Sequence, residues 1–430
     1  MRIPPRGRAR LVGLAAAALL PLCPLPASAS PAPANPAPAN PAPVGPTPVG
    51  AVAAESLRLQ ALLDELVADG ASGALAVVGD GRQTWYQSSG VARQSPAAAL
   101  TTTARFRAGS VTKTFIATVA LQLVAEGQLR LTDPIERWMP GLVPGGDAIT
   151  LRMLLNHTSG LYDYTQDQVL AQWLYTQPTI GVTPRHLVDI ATSYPPLFDP
   201  GQGWAYSNTD YIVAGMMLEA ATGRTVHALV QDRILTPLGL TGTSFPAHTR
   251  DIAGYHAHGY LLPATPGGGR PDVTLLAPSL LWAAGALVST ARDLREFYGA
   301  LLGGRLLPPA QQAELLSSVP VTPVYGYGLG LSVLRGPCGT VWGHDGSVPG
   351  YVTLAYTSRD GRRGVVLALP TEPDENLAAL LRLTLDTAIC QMYDRVPPDA
   401  ASVPPDAART RAARAPALGY GWDGGRRPVE

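Results

Sequence analysis

The chain has 430 residues, 46% of them hydrophobic and 15% charged, enough apolar material for a sizeable core in one or a few domains. Its 32 Lys plus Arg balance its 32 Asp plus Glu, so the formal net charge is zero. Nothing in that balance points to nucleic acid, a polyanion or an acidic membrane surface as partner.

The first residues read as an export signal. Arg2, Arg6, Arg8 and Arg10 precede a short apolar run, Leu11–Leu22, and PASAS offers a small-residue cleavage site after Ala29. We assign residues 1–29 to this signal and expect a secreted, extracellular or wall-associated protein. The run is too short to span a membrane, and no later run is long and apolar enough to do so. Cys23 lacks the small preceding residues of a lipid-attachment site. The units PAPAN, PAPAN, PAPVG and PTPVG fill Pro31–Gly50. Alternating proline of this kind makes an extended spacer, so residues 30–52 read as a linker.

The folded part is expected over residues 53–395. Ser56–Leu66 has the pattern of an amphipathic helix, and Ala74–Ser89 reads as a hairpin turning at Gly79–Gly81. Val111–Ala125 is expected to be helical, with Gly127 as its stop. A middle section rich in turns carries helices at Ile212–Thr222 and Val226–Ile234, followed by one at Ala291–Leu302. Strand signals return at Tyr325–Leu334, Thr340–Gly343, Tyr351–Tyr356 and Gly364–Leu369, and Glu375–Tyr393 closes with a helix. Strands at both ends and helices between them predict an α+β fold: one antiparallel sheet, covered by the terminal helices, with a mostly helical lobe inserted. Residues 396–430, with paired prolines and scattered arginines, read as a disordered tail. After the signal only Cys338 and Cys390 remain, and a single pair in an exported protein reads as one disulfide.

The chemistry begins at Arg107–Phe115, RAGSVTKTF. Lys113 is the only lysine in the chain. Arginine cannot deprotonate in a protein, whereas lysine can serve as a base once burial or a neighbouring cation lowers its pKa. Ser110 stands three residues before it, on the same helical face and at the helix start, where the dipole favours developing negative charge. Ser110 is therefore a candidate nucleophile with Lys113 as its base. A helix cap beside a solvated surface charge explains the same pair equally well.

Two further motifs offer partners. Tyr206 and Asn208 lie in GWAYSNTDY, after the turn DPGQG: a phenol can shuttle a proton and an amide can hold both a carbonyl and an ammonium. A packed tyrosine near a helix cap is the alternative. His344, Asp345, Gly346 and Ser347 follow the expected strand Thr340–Gly343. The Ser347 backbone N–H, with that of Ser110, can form a two-donor oxyanion hole. His344 by itself is more often structural than catalytic.

S-x-x-K, Y-x-N and H-x-G in this order resemble the serine penicillin-recognising enzymes, in the branch similar to class C β-lactamases and closest to the secreted D-alanyl-D-alanine carboxypeptidases. TTTARFRAGSVTKTF, LLNHTSGLYDYT, AYSNTDYIVAGMMLE, LTPLGLTGTSF, YGYGLGL and WGHDGSVPGY carry the likeness across most of residues 53–395. The resemblance implies an acyl-enzyme on Ser110, activated by Lys113 with Tyr206 as proton relay. It also implies that Asn208 binds the substrate amide and that His344 shapes the electrostatics around Tyr206. Asp345, Gly346, Ser347 and Trp282 would line the substrate, Trp282 having core packing as its alternative, and His157 would be structural. It implies no cofactor and no metal, a monomer, peptidoglycan stem peptides or another small amide or ester as substrate, and β-lactams as covalent inhibitors.

Two departures bear on specificity. Asp345 stands where such carboxypeptidases carry a threonine, and Ser332 where they place an arginine, both for the substrate's terminal carboxylate. Arg335 is a candidate substitute. The D-alanyl-D-alanine carboxypeptidase acting on cell-wall peptides is the first expectation; because a like charge in place of a hydroxyl weakens carboxylate binding, a related esterase, D-aminopeptidase or D-amino-acid amidase is the second. A β-lactamase and a penicillin-sensing module that hardly turns over come after these.

Overall fold

A computed structural model describes residues 49–265 and 268–395. The export signal, most of the proline linker and the tail lie outside the described residues. The strands are β1 (Gly73–Gly79), β2 (Thr84–Arg93), β3 (Ala98–Ala99), β4 (Phe106–Arg107), β5 (Val288–Ser289), β6 (Val319–Pro320), β7 (Tyr325–Tyr327), β8 (Ser332–Gly336), β9 (Gly339–Val348), β10 (Tyr351–Thr357) and β11 (Gly364–Leu369). The longer helices are α1 (Val49–Ala68), α2 (Thr112–Ala125), α3 (Gln168–Thr176), α4 (Pro184–Thr192), α5 (Asn208–Thr222), α6 (Ala291–Leu302), α7 (Pro309–Leu316) and α8 (Glu375–Met392).

Nine strands form one antiparallel sheet in the order β3-β2-β1-β11-β10-β9-β8-β7-β6, while β4 and β5 pair separately. The centre of the sheet, β1, β11 and β10, is buried along its whole length, which is why GALAVVG, GVVLAL and YVTLAYT are nearly free of charged and strongly polar residues. Side chains alternate between two cores. Ala74, Ala76, Val78, Leu354, Val365 and Leu367 pack against Leu59 and Leu63 of α1 and Leu385 and Ile389 of α8. Leu75, Val77, Ala355 and Val366 face the helical lobe, including Phe115 of α2 and Phe297 of α6. The expected α+β architecture is the one observed.

Four local expectations change. The first helix begins at Val49 rather than Ser56. Val226–Ile234 is a short α-helix, Val226–Val230, that widens into a π-turn over Gln231–Leu235. Tyr325–Leu334 is a hairpin rather than one strand: β7 pairs back on β8 with Tyr325 opposite Leu334. The reason is Gly330, whose φ of +70° turns the chain, and where a Cβ would press on Ala117, the Tyr211 hydroxyl and the Lys113 carbonyl. His344–Ser347 does not follow a strand but lies inside β9.

That last difference builds the site. β9 pairs with β10 along Trp342–Val348 but with β8 only as far as Gly343. Beyond Gly343, the edge of β9 meets the Gly109–Val111 turn at the start of α2 instead of another strand. Cys338, in the turn between β8 and β9, is disulfide-bonded to Cys390 of α8, as the cysteine count predicted.

Candidate active site

Ser110 sits in a 3-10 turn, Gly109–Val111, that leads into α2 rather than in the first turn of the α-helix itself. The turn is tied down on both sides. Ala108 N–H donates to Leu287 O at 2.8 Å, and the Thr112 hydroxyl donates to Gly109 O at 2.6 Å while accepting from Leu287 N–H at 3.0 Å. Gly109 and Gly346 allow the turn and β9 to touch backbone to backbone. A Cβ on Gly109 would lie 2.8 Å from Ser347 N, and one on Gly346 would lie 3.0 Å from Ser110 N. The amide nitrogens of Ser110 and Ser347 thus flank one small region of space.

Lys113 is fully buried one helical turn on. Its Nζ lies 3.0 Å from Ser110 Oγ, 2.8 Å from Asn208 Oδ1 and 2.7 Å from Ala284 O. The last two are pure acceptors. A neutral amine has two N–H bonds and one lone pair; with both N–H groups donated to Asn208 and Ala284, the lone pair is left for the Ser110 hydroxyl. Burial lowers the Lys113 pKa to about 7, against the opposing pull of Asp163, Asp345 and Asp210. The pair can therefore exchange a proton near neutral pH, which a solvated surface lysine cannot do.

Tyr206 closes over this pair. Its phenol hydrogen-bonds Ser110, and burial holds it well above the usual range, with Asp345 and Asp163 pushing the same way. It is a protonated donor at neutral pH. Its ring lies 4.9 Å from Lys113 Nζ. The loop carrying it is held by His157: Ala205 N–H donates to His157 O at 3.1 Å and Ser207 N–H to His157 Nδ1 at 3.3 Å. His157 is itself buried against Asp210, 2.8 Å away, and its ring lies tilted on that of Tyr206, 4.3 Å between centroids. The structural use expected of it is visible in these contacts.

His344 is buried and neutral, its pKa lowered to about 3 by burial and the nearby Lys113. Its Nδ1–H donates to the Asp345 carbonyl, which leaves Nε2 to accept from the Tyr327 hydroxyl at 2.8 Å. Its ring stands 6.4 Å from that of Tyr206. Asp345 keeps a partly open carboxylate, 23% exposed. Burial raises its pKa to about 6, and the cation whose field bears on it is Lys113. The Tyr356 hydroxyl stands 3.5 Å from it. Ser332 is fully buried on Tyr325, 3.1 Å away. Arg335 is exposed opposite Thr340, about 16 Å along β9 from Asp345 at the usual strand rise, so it does not replace the missing arginine. Trp282 adopts φ +34° and lays its indole on Gly215 of α5, next to the segment whose Ala284 carbonyl holds Lys113.

Sequence reading missed Asp163, Thr165, Tyr327 and the Ala284 carbonyl. Asp163 Oδ2 accepts from Asn208 Nδ2 at 2.9 Å, and Thr165 Oγ1 accepts from it at 3.2 Å. The D-x-T spacing in LYDYT is a local side-chain cap signature, but nothing in it names Asn208 as the further partner. Among the described residues no group of His, Cys, Asp and Glu is arranged to hold a metal ion.

The family model described as Beta-lactamase matches residues 59–389. The chain is similar to the crystal structure of a D-stereospecific amidohydrolase from Streptomyces sp., 39% identical over 74% of this chain and 94% of that one, with a TM-score of 0.68. It is similar to the D-amino acid amidase from Ochrobactrum anthropi SV3 complexed with D-phenylalanine, 28% identical over 79% of this chain and 99% of that one, with a TM-score of 0.71. It also resembles penicillin-binding protein 4* of Bacillus subtilis (strain 168), 28% identical over 72% of this chain and 70% of that protein. The chain belongs to the beta-lactamase family and is one of the serine penicillin-recognising hydrolases.

Proposed function

We propose that this protein is a serine amidohydrolase that cleaves amides or short peptides of D-amino acids carrying a free ammonium group. The observation that carries this reading is Asp345, a carboxylate two residues before Ser347 on the strand that borders the nucleophile, with no arginine at Ser332 to receive a substrate carboxylate. An aspartate there repels a terminal carboxylate and attracts an ammonium. The likeness to a D-stereospecific amidohydrolase and a D-amino acid amidase supports the same substrate class.

In the proposed reaction Ser110 Oγ attacks the amide carbon as its proton passes to Lys113. The oxyanion is received by the N–H groups of Ser110 and Ser347. The Tyr206 phenol protonates the leaving amine and regains a proton from the Lys113 ammonium, leaving an acyl-enzyme and a neutral lysine. Water then attacks the ester by the reverse relay, returning Ser110 its proton. His344 acts as a neutral acceptor that fixes Tyr327 behind Tyr206. β-Lactams are expected to acylate the same serine, with weak non-covalent affinity because Asp345 repels their carboxylate as well.

The test is hydrolysis of D-phenylalanine amide beside a diacyl-D-Ala-D-Ala peptide, with Ser110→Ala as control. Turnover of the amide with little of the peptide is expected. Turnover of the peptide alone would replace this reading with the D-alanyl-D-alanine carboxypeptidase, which keeps the support of the likeness to penicillin-binding protein 4*.

A further inference from the structure

The Lys113 lone pair faces Ser110 only because Asn208 turns its oxygen, and not its nitrogen, toward the lysine. The two ends of a side-chain amide are nearly the same shape, so packing cannot choose between them; the hydrogen-bond network must. Were Asn208 reversed, its NH2 group would face Nζ, and the neutral amine would accept from it with the lone pair that Ser110 needs.

The choice is made on the far side of Asn208. Asp163 Oδ2 stands 2.9 Å from Asn208 Nδ2, and a carboxylate there can only accept. Asp163 Oδ1 in turn accepts from Thr165 N–H at 3.0 Å and from the Thr165 hydroxyl at 2.9 Å. With its proton spent on Asp163, Thr165 Oγ1 can only accept from Asn208, 3.2 Å away. Both N–H bonds of Asn208 are thus claimed. The direction of donation runs unbroken from Thr165 to Asp163, from Asn208 to Asp163 and Thr165, and from Lys113 to Asn208. Asp163 is buried and caps the 3-10 turn Tyr164–Gln166, so its carboxylate cannot swing away.

We infer that Asp163 is a positioning residue that dictates which end of the Asn208 amide faces Lys113, and so aims the lysine lone pair at Ser110. This rests on the proposed roles of Ser110 as nucleophile and Lys113 as base. Asp163 touches neither substrate nor the reacting atoms; it acts through Asn208.

Asp163→Asn tests it, because the new amide must turn its oxygen to the Thr165 N–H. Its NH2 group then faces Asn208 and reverses it. Acylation by a fluorescent penicillin is followed against pH. On the alkaline plateau, where Lys113 is neutral in both proteins and the lost charge no longer counts, the acylation rate should fall about 100-fold with the non-covalent affinity unchanged. The double variant Asp163→Asn/Asn208→Asp places an acceptor on both sides again and should recover at least about tenfold, with its acid limb moved to higher pH by the new carboxylate beside Lys113. A plateau rate within about threefold of the parent, or a double variant no better than the single, overturns the assignment. If Asp163→Asn does not fold, Thr165→Val removes one of the two acceptors at a partly exposed position; about a fivefold plateau loss supports the assignment and an unchanged rate overturns it. Labelling that survives Ser110→Ala would overturn the nucleophile instead. The Asp163 assignment is then read from the Nζ resonance of 15N-lysine, Lys113 being the only lysine. Its chemical shift on the alkaline plateau, where Lys113 is neutral and the lost charge no longer counts, must change in the single variant and return in the double, and an unmoved shift overturns it.

Discussion

Gly346 of β9 packs directly on the backbone of Ala108: a Cβ there would collide with the Ala108 carbonyl oxygen and lie 3.0 Å from Ser110 N. Two backbones meet at this point because neither Gly109 nor Gly346 has a side chain, and their closeness brings the Ser110 and Ser347 amides together. Gly346→Ala must force β9 away from the turn. Acylation by a fluorescent penicillin is expected to slow by about 10²–10³, the usual cost of losing one oxyanion donor, with the circular dichroism of the parent retained. Acylation at the parental rate would remove the Ser347 amide from the mechanism.

Lys113 should set the acid limb of the pH profile. Its pKa is lowered from 10.5 to about 7, and the base must be neutral, so the rate of acylation by a fluorescent penicillin should rise through about pH 7 and level off above it. Because Lys113 is the only lysine, 15N-lysine labelling yields one Nζ resonance whose midpoint should match that limb. Lys113→Arg keeps the charge and should abolish acylation. A limb that does not track the resonance would transfer the role of base to another group.

The same lysine should cost stability. Its folded pKa lies below its unfolded one, so between about pH 7 and pH 10.5 the unfolded chain binds more protons and stability rises with pH. Below pH 7 the penalty is present in full. Lys113→Met should therefore gain most at pH 5, on the order of a few kcal/mol less whatever is lost at Asn208 and Ala284, and the gain should fade toward pH 10. Urea titrations at pH 5, 7 and 10 measure it; a gain that grows with pH would contradict the buried cation.

Asp345 should govern the substrate ammonium. Burial raises its pKa to about 6, so it gains its charge as pH rises through that value, and KM for D-phenylalanine amide should fall between pH 5 and pH 7. Asp345→Asn should raise KM by about 10-fold or more and flatten that dependence. Asp345→Thr combined with Ser332→Arg should shift preference toward a substrate with a free carboxylate. Steady-state kinetics on both substrates decide; an unchanged KM in Asp345→Asn would leave the ammonium without its partner.

The Cys338–Cys390 disulfide should matter for stability and not for catalysis. It closes a 52-residue separation, for which chain entropy gives at most about 4 kcal/mol. Cys338 precedes Asp345 by some 20 Å of strand at about 3.3 Å per residue. The double Cys→Ala variant should lose midpoint in urea and keep its acylation rate. A lost rate at full occupancy of the folded state would show that α8 helps set the position of β9.

Local sequence was enough for much of this protein. The apolar runs GALAVVG and GVVLAL read as strands, the 3.6-residue periodicity of Ala291–Leu302 marked a helix to its ends, and two cysteines left one pairing. Ser110 and Lys113 were legible because residues three apart on a helical turn are neighbours whatever the rest of the chain does. What sequence could not reach are relations across the fold. That Tyr325–Leu334 doubles back depends on Gly330 meeting α2 and α5, and that His344 accepts from Tyr327 depends on where β7 lies. The departure at Asp345 was visible, but that Arg335 does not compensate needed the register of β8 on β9. Asp163 lies 45 residues from Asn208, and the hydrogen bond that orients the amide exists only once the turn after Asp163 has docked on the start of α5. Side-chain chemistry is written in the sequence; the direction in which a buried donor points is decided by which acceptors the fold places around it.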